Sequence, residues 1–157
     1  ASSVTDHIAC MQDVMATVCD MVCAEAPRDA DGVSFWPLLC GDEQAQRTHE
    51  ALLWDFPGYG GQLALRMGKW KLGLPRKSRT LDGKAGGVGG GETAYVEKPE
   101  PLALFDLEAD PRESRDVSAE HPAVVEEMLR HAEAARADLG DALTKREGTG
   151  RRPAGRE

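Results

Sequence analysis

Four cysteines, four histidines and several paired carboxylates are the groups in this chain able to serve as nucleophile, base or metal ligand. A hydrolase needs a nucleophile beside an activating base, or a metal held by a cluster of oxygen or nitrogen ligands. Neither is written into a local motif. His7, His49, His121 and His131 are widely spaced, and none forms a His-x3-His pair. Cys19 and Cys23 stand four apart on an expected helix, with no downstream Cys or His pair to close a zinc site. With Cys10 and Cys40, they are expected to be small buried hydrophobes. The pairs Asp29/Asp31 and Asp42/Glu43 fall in turns, where Asp serves the backbone. No Gly-x-Ser-x-Gly elbow occurs. The glycines between Gly86 and Gly91 lead into Glu92-Thr-Ala, not into a helix that could seat a phosphate. A flexible insertion is expected there.

The elements that would position any site follow from composition and pattern. At 157 residues, 41% hydrophobic and 29% charged, the chain suits one domain with a modest core. A single Ile and 17 glycines argue against a rich β core, so a small sheet covered by helices and leaning on something else for burial is expected. The net charge of −8 disfavours nonspecific nucleic-acid binding. Lys69, Lys71, Arg76, Lys77, Arg79 and Lys84 nevertheless form a basic run, read as a solvated loop with an anionic-ligand site as the alternative. No stretch approaches the ~20 apolar residues of a membrane span. No signal peptide is seen, and the opening Ala1-Ser-Ser suggests a fragment or a processed product. The chain contains no Asn and therefore no N-glycosylation acceptor.

Ile8, Met11, Met15, Val18 and Val22 recur at helical spacing and predict a helix over residues 6–26, with Asp6 as N-cap and Pro27 as terminator. Ser34 is placed to cap a short turn through Trp36-Pro37-Leu38-Leu39. Residues 50–56 and 62–67 alternate as antiparallel strands about a Pro/Gly/Tyr turn. Trp70, Leu72 and Leu74 line a third strand. Trp54, Phe56 and Trp70 are expected to pack in a core or interface. Residues 75–101 read as irregular and 102–107 as a fourth strand. Pro122 opens a long helix with Val125, Met128, Leu129, Ala132, Ala135 and Leu139 on one face, closed by Gly140. The expected class is α+β: an antiparallel sheet of about four strands packed by a long C-terminal helix, with an extra N-terminal helix. The expected parts are residues 1–45, a helix and linker; 46–140, sheet plus helix; and 141–157, a basic flexible tail.

Several pieces occur together in a particular order: Asp13-Val-Met-Ala-Thr17, Asp31-Gly-Val-Ser-Phe35 with Pro37-Leu-Leu39, and His49-Glu-Ala-Leu-Leu-Trp-Asp-Phe56. Tyr59-Gly-Gly-Gln62, Arg66-Met-Gly-Lys-Trp-Lys71, Leu104-Phe-Asp-Leu-Glu-Ala-Asp-Pro111 and Glu120-His-Pro122 follow. In this order the chain resembles the C-terminal region of type I, formylglycine-dependent sulfatases of the alkaline-phosphatase superfamily, arylsulfatase-like, from residue 6 to about 139. Two departures are visible. Ala16 replaces the Pro usual before Thr17, and the glycine-rich insertion is longer than the family's connection.

The resemblance implies sulfuric-ester hydrolysis by an enzyme of which this region is one part. Its nucleophile lies in a Cys/Ser-x-Pro-x-Arg motif oxidised to formylglycine, beside a calcium held by Asp and Asn. Here Cys10, Cys19, Cys23 and Cys40 are followed two residues later by Gln12, Met21, Glu25 and Asp42, and no Ser completes the motif. No catalytic or metal residue can therefore be assigned, and calcium and formylglycine are expected in an N-terminal core upstream of Ala1. That core is the implied partner, with a sulfated small molecule or glycan as substrate. Tyr59, Gln62 and Arg66 are the candidate substrate-binding residues: Tyr and Gln offer stacking and hydrogen bonds to a sugar, and Arg66 can pair with an anion or within its own domain. The alternative is a standalone module that binds anionic glycans without catalysis. The family's enzymes are often secreted, periplasmic or lysosomal, which leaves the compartment open.

Overall fold

The structure, a computed structural model, describes residues 4–28, 30–56, 61–87, 89 and 94–151. The chain divides into two units, Ala1–Glu50 and Ala51–Glu157.

The first unit holds helices α1 (Asp13–Met21) and α2 (Trp36–Leu39). Helix α1 is much shorter than its apolar periodicity suggests, for a reason at each end. At the start, the Asp13 carboxylate accepts the Cys10 N–H at 2.7 Å, diverting a donor that a longer helix would need. Asp6 therefore caps nothing; the N-cap is Gln12, without a side-chain bond. At the end, Cys23 adopts φ 55°, and its N–H bonds to the Asp20 carbonyl while that of Ala24 bonds to the Cys19 carbonyl. This is a Schellman stop with Cys in the place glycine usually takes, so the helix ends well before Pro27. The buried residues of α1 are Asp13, Ala16 and Thr17, while the predicted stripe of Met15, Val18 and Val22 faces outward. Ser34 does serve α2: its hydroxyl accepts the Trp36 N–H at 3.1 Å and donates to Asp20 at 2.7 Å.

The second unit is built on a four-stranded antiparallel sheet in the order β1 (Leu52–Phe56), β2 (Gly61–Met67), β3 (Trp70–Gly73) and β6 (Ala103–Asp106). Register runs Leu53↔Leu65, Leu65↔Leu72 and Leu72↔Leu104, which stacks leucines across the sheet. A bulge interrupts β1 between Trp54 and Asp55. Helix α3 (Pro122–Leu139) adds Met128 and Ala132 to Leu65, Leu72, Leu74, Leu104 and Val117, and these form the core. Each fully buried leucine contributes about 1.5–3 kcal/mol. The outer side of β6 is closed by the chain that follows it: Asp116 accepts the Leu104 N–H at 2.9 Å, and Leu104 returns its carbonyl to the Val117 N–H. This is a local answer to an open sheet edge. Gly140, at φ 85°, ends α3 as expected, though Leu139 is exposed.

Two segments differ from expectation. Residues 75–101 are not wholly irregular, because β4 (Arg76–Thr80) and β5 (Val96–Glu100) pair as a hairpin. Their alternation is of charged and polar residues, with Arg76 to Glu100 at 2.5 Å, so no apolar period announces them. The segment expected to be a flexible tail begins with a second small hairpin, β7 (Gly140–Asp141) and β8 (Arg146–Glu147). Asp141, its side chain fully buried, accepts from Arg136 Nε, Thr144 Oγ1 and the Leu143 N–H, each at 3.0 Å. No helix among the described residues is long and apolar enough to cross a membrane.

Candidate functional site

The densest polar cluster among the described residues lies in the first unit and centres on Asp13. Its carboxylate is almost fully buried, at 1% exposure, and both oxygens are engaged. Oδ1 accepts the Val33 N–H at 2.9 Å and lies 2.7 Å from His49 Nε2. Oδ2 accepts the Cys10 N–H at 2.7 Å and the Cys10 thiol at 3.3 Å. Cys10 Sγ is also 3.9 Å from His49 Nε2. Helix α1 presents Asp13 at its first residue, where the carboxylate can reach back one turn to Cys10. The loop carrying Gly32 and Val33 is drawn in beside it, because a Cβ at Gly32 would overlap the Gln12 carbonyl. Thr17 completes the clamp: its hydroxyl donates to the Asp13 carbonyl at 2.8 Å and accepts the Phe35 N–H at 3.1 Å.

Burial raises the Asp13 carboxyl pKa, but the N–H groups of Val33 and Cys10, then His49 and the thiol, outweigh it and hold the carboxyl below its ordinary range. The Cys10 thiol is pushed up, by burial first and then by its bond to Asp13 and that group's charge. The thiol is thus kept protonated, a poor nucleophile. The geometry also excludes a Cys-His-Asp relay. Such a relay places the acid on one ring nitrogen and the thiol on the other, whereas here both approach Nε2. What remains is a sulfur, a nitrogen and a carboxylate oxygen converging within 4.8 Å of one another.

This cluster escaped the sequence because Cys10 and Asp13 sit at the start of an expected helix and His49 lies 36 residues beyond Asp13. Only the spacing Cys10-x-x-Asp13 was available as a signal. The cysteines are not the buried hydrophobes expected of them: Cys10 and Cys19 are half-buried, Cys23 and Cys40 exposed.

Of the three sequence candidates for substrate binding, Tyr59 lies outside the described residues. Gln62 is placed only by its backbone, opposite Asp55 in the β1–β2 register. Arg66 donates from Nε to the Gly68 carbonyl at 3.1 Å, which turns that edge of its guanidinium toward its own β-turn. Three of the six residues of the basic run are ion-paired: Lys69 with Asp106 at 2.7 Å, Lys71 with Glu113 at 2.6 Å, and Arg76 with Glu100. Trp54 is 39% exposed rather than packed, and Trp70 is half-buried against His121, ring centroids 4.8 Å apart.

No family model and no curated protein matches the chain. Solved structures do. A sulfatase from the glycosaminoglycan-metabolising core locus of Bacteroides thetaiotaomicron aligns over 79% of this chain with TM-score 0.51 and 24% identity. A protein of that organism, strain VPI-5482, described as a putative sulfatase, aligns over 79% with TM-score 0.52 and 16% identity. The structure of Ps i-CgsB aligns over 91% with TM-score 0.55 and 21% identity. The chain spans only 24% of each of the first two and 27% of the third. It therefore has the fold of a region that makes up about a quarter of a sulfatase chain. The four-stranded antiparallel sheet, the long C-terminal helix and the N-terminal helix make that region α+β, as expected.

Proposed function

We propose that this chain is the C-terminal subdomain of a formylglycine-dependent sulfatase, where it completes the fold and shapes the cleft that receives a sulfated small molecule or glycan. The observation that carries this reading is the outer face of α1. Met15, Val18 and Met21 of the helix, with Met11 and Val22 flanking it, are all exposed, from 49% to 86%. A run of apolar side chains at helical spacing calls for a covering surface, and a catalytic core would supply one. The shared fold and the ordered motifs point the same way. The residues of this chain do not fit the family's cofactors: with no Asn and no Cys/Ser-x-Pro-x-Arg, nothing here matches the calcium set or the formylglycine motif. Both belong to the core in this proposal. The paired state of Lys69, Lys71 and Arg76 speaks against a standalone polyanion-binding module.

The test begins with the transcript upstream of the codon for Ala1. An in-frame extension carrying Cys/Ser-x-Pro-x-Arg is expected, whose longer product hydrolyses sulfate esters while the 157-residue chain does not. An in-frame stop there sinks the reading. In the longer product, replacing Tyr59 and Gln62 together by Ala should raise KM or alter substrate preference. Unchanged kcat/KM on every sulfated substrate tried would remove them from the cleft.

A further inference from the structure

We infer that Cys10, Asp13 and His49 form a binding site for a divalent late transition metal of the zinc type, separate from any calcium-dependent sulfate chemistry. Anchoring the Gly32–Val33 loop requires only the Asp13 carboxylate and two backbone N–H groups. The thiol and the imidazole make no bond to that loop, yet both are aimed at the same carboxylate. Tetrahedral zinc places sulfur, nitrogen and oxygen donors about 3.4–3.6 Å apart, from bond lengths of about 2.0–2.3 Å. Cys10 Sγ lies 3.9 Å from His49 Nε2, and the carboxylate meets the two through different oxygens, Oδ2 at 3.3 Å from the sulfur and Oδ1 at 2.7 Å from the nitrogen; one donor atom from each residue lies within 4.8 Å of the others. Seating one ion among the three therefore asks the side chains to turn toward a single carboxylate oxygen and the nitrogen–oxygen contact to open, and replacing hydrogen bonds by coordination permits both. The mixed donor set selects the metal: thiolate and imidazole suit zinc, cobalt or copper, whereas calcium and magnesium take oxygen ligands. Three protein donors leave a fourth position for water or another ligand.

Binding balances as a proton exchange. The metal takes the electron pair of Cys10 sulfur, whose proton leaves to solvent. In the metal-free chain His49 Nε2–H faces Asp13 Oδ1; on binding, the ring keeps one proton, which moves to Nδ1 so that the Nε2 pair is free, and Asp13 is already ionised. One proton is therefore released per metal bound. Because a proton leaves on binding, uptake strengthens as pH rises.

The test is titration of the 157-residue chain with Co2+ alone, followed by competition with Zn2+. One cobalt per chain, a thiolate-to-cobalt charge-transfer band and one proton released per metal are expected. Cys10→Ser should abolish the band, and His49→Gln, which keeps a donor for Asp13, should weaken binding about tenfold or more. A triple Cys19→Ser, Cys23→Ser, Cys40→Ser variant should bind as the parent does. Absence of the band, or a band that survives Cys10→Ser and disappears in the triple variant, overturns the site. Because the readout is spectroscopic, it stands or falls independently of sulfatase activity.

Discussion

The unit Ala51–Glu157 buries leucines, whereas the unit Ala1–Glu50 buries an aspartate, an alanine and a threonine. In the larger unit, Leu72, Leu74 and Leu104 are wholly withdrawn from water and meet Met128 and Ala132 of α3. In the smaller, the apolar residues face outward, and side-chain-to-backbone hydrogen bonds from Asp13, Thr17, Ser34 and Gln46 hold the loops. Hydrophobic burial is non-directional and roughly proportional to area, so the larger unit can hold its form by its own contacts. Hydrogen bonds net only about 1 kcal/mol each. They specify the path of the smaller unit more than they stabilise it, which accords with the proposal that another surface covers its apolar face.

The largest test of that contrast is truncation of the sheet core. Leu72→Ala or Leu104→Ala should cost about 3–5 kcal/mol in urea unfolding, while Met15→Ala or Val18→Ala in this chain should stay within about 0.5 kcal/mol. Comparable losses from both pairs would break it. Next, Asp13→Ala strips charge-assisted partners from the Val33 and Cys10 N–H groups and from His49, and should cost about 3 kcal/mol. Amide hydrogen exchange should rise at Val33 and Cys10 and stay unchanged at Leu72. A third change, Gly32→Ala, pushes a methyl toward the Gln12 carbonyl and should cost about 1–3 kcal/mol, with the same exchange signature as Asp13→Ala.

Acid separates two carboxylates of opposite kind. Asp13 is depressed in the folded state, so its contribution is present above the unfolded value of 3.8 and is lost as pH falls below it. Asp55 in β1 is raised, by burial first and then by the charge of Asp141, and its Oδ1 is buried without a partner. Its ionised form opposes folding, so the penalty grows as pH rises above 3.8. The smallest expected effect follows: Asp55→Asn should stabilise the chain at neutral pH by under about 1 kcal/mol and do nothing at pH below 3.8. Equilibrium unfolding of Asp13→Asn and Asp55→Asn across acid pH should give slopes of opposite sign.

Much of the larger unit was legible because its signals are local and periodic. Leu63, Leu65 and Met67 alternate along β2, Pro122 starts α3 and Gly140 stops it. The β4–β5 hairpin was not legible, because its period-2 pattern is written in charges that pair only across the turn. The length of α1 was misread for a related reason. Periodicity in Met11, Met15, Val18 and Val22 is a true helical signal, but the stops are an aspartate reaching backward and a cysteine at positive φ, neither of which belongs to the usual alphabet of helix ends.

The sequence alone determined the order of the two long helical segments and the four strands of the central sheet, the α+β class and the likeness to a sulfatase region, because these rest on periodicity, turn chemistry and motifs within short windows. Tertiary structure alone decided that Cys10 and His49 meet on Asp13, and that the α1 stripe faces outward. Residues 36 positions apart carry no mark in the sequence of which will share a carboxylate. Only the close approach of Gly32 to Gln12, together with the demand of a buried charge for donors, brings that part of the site into one place.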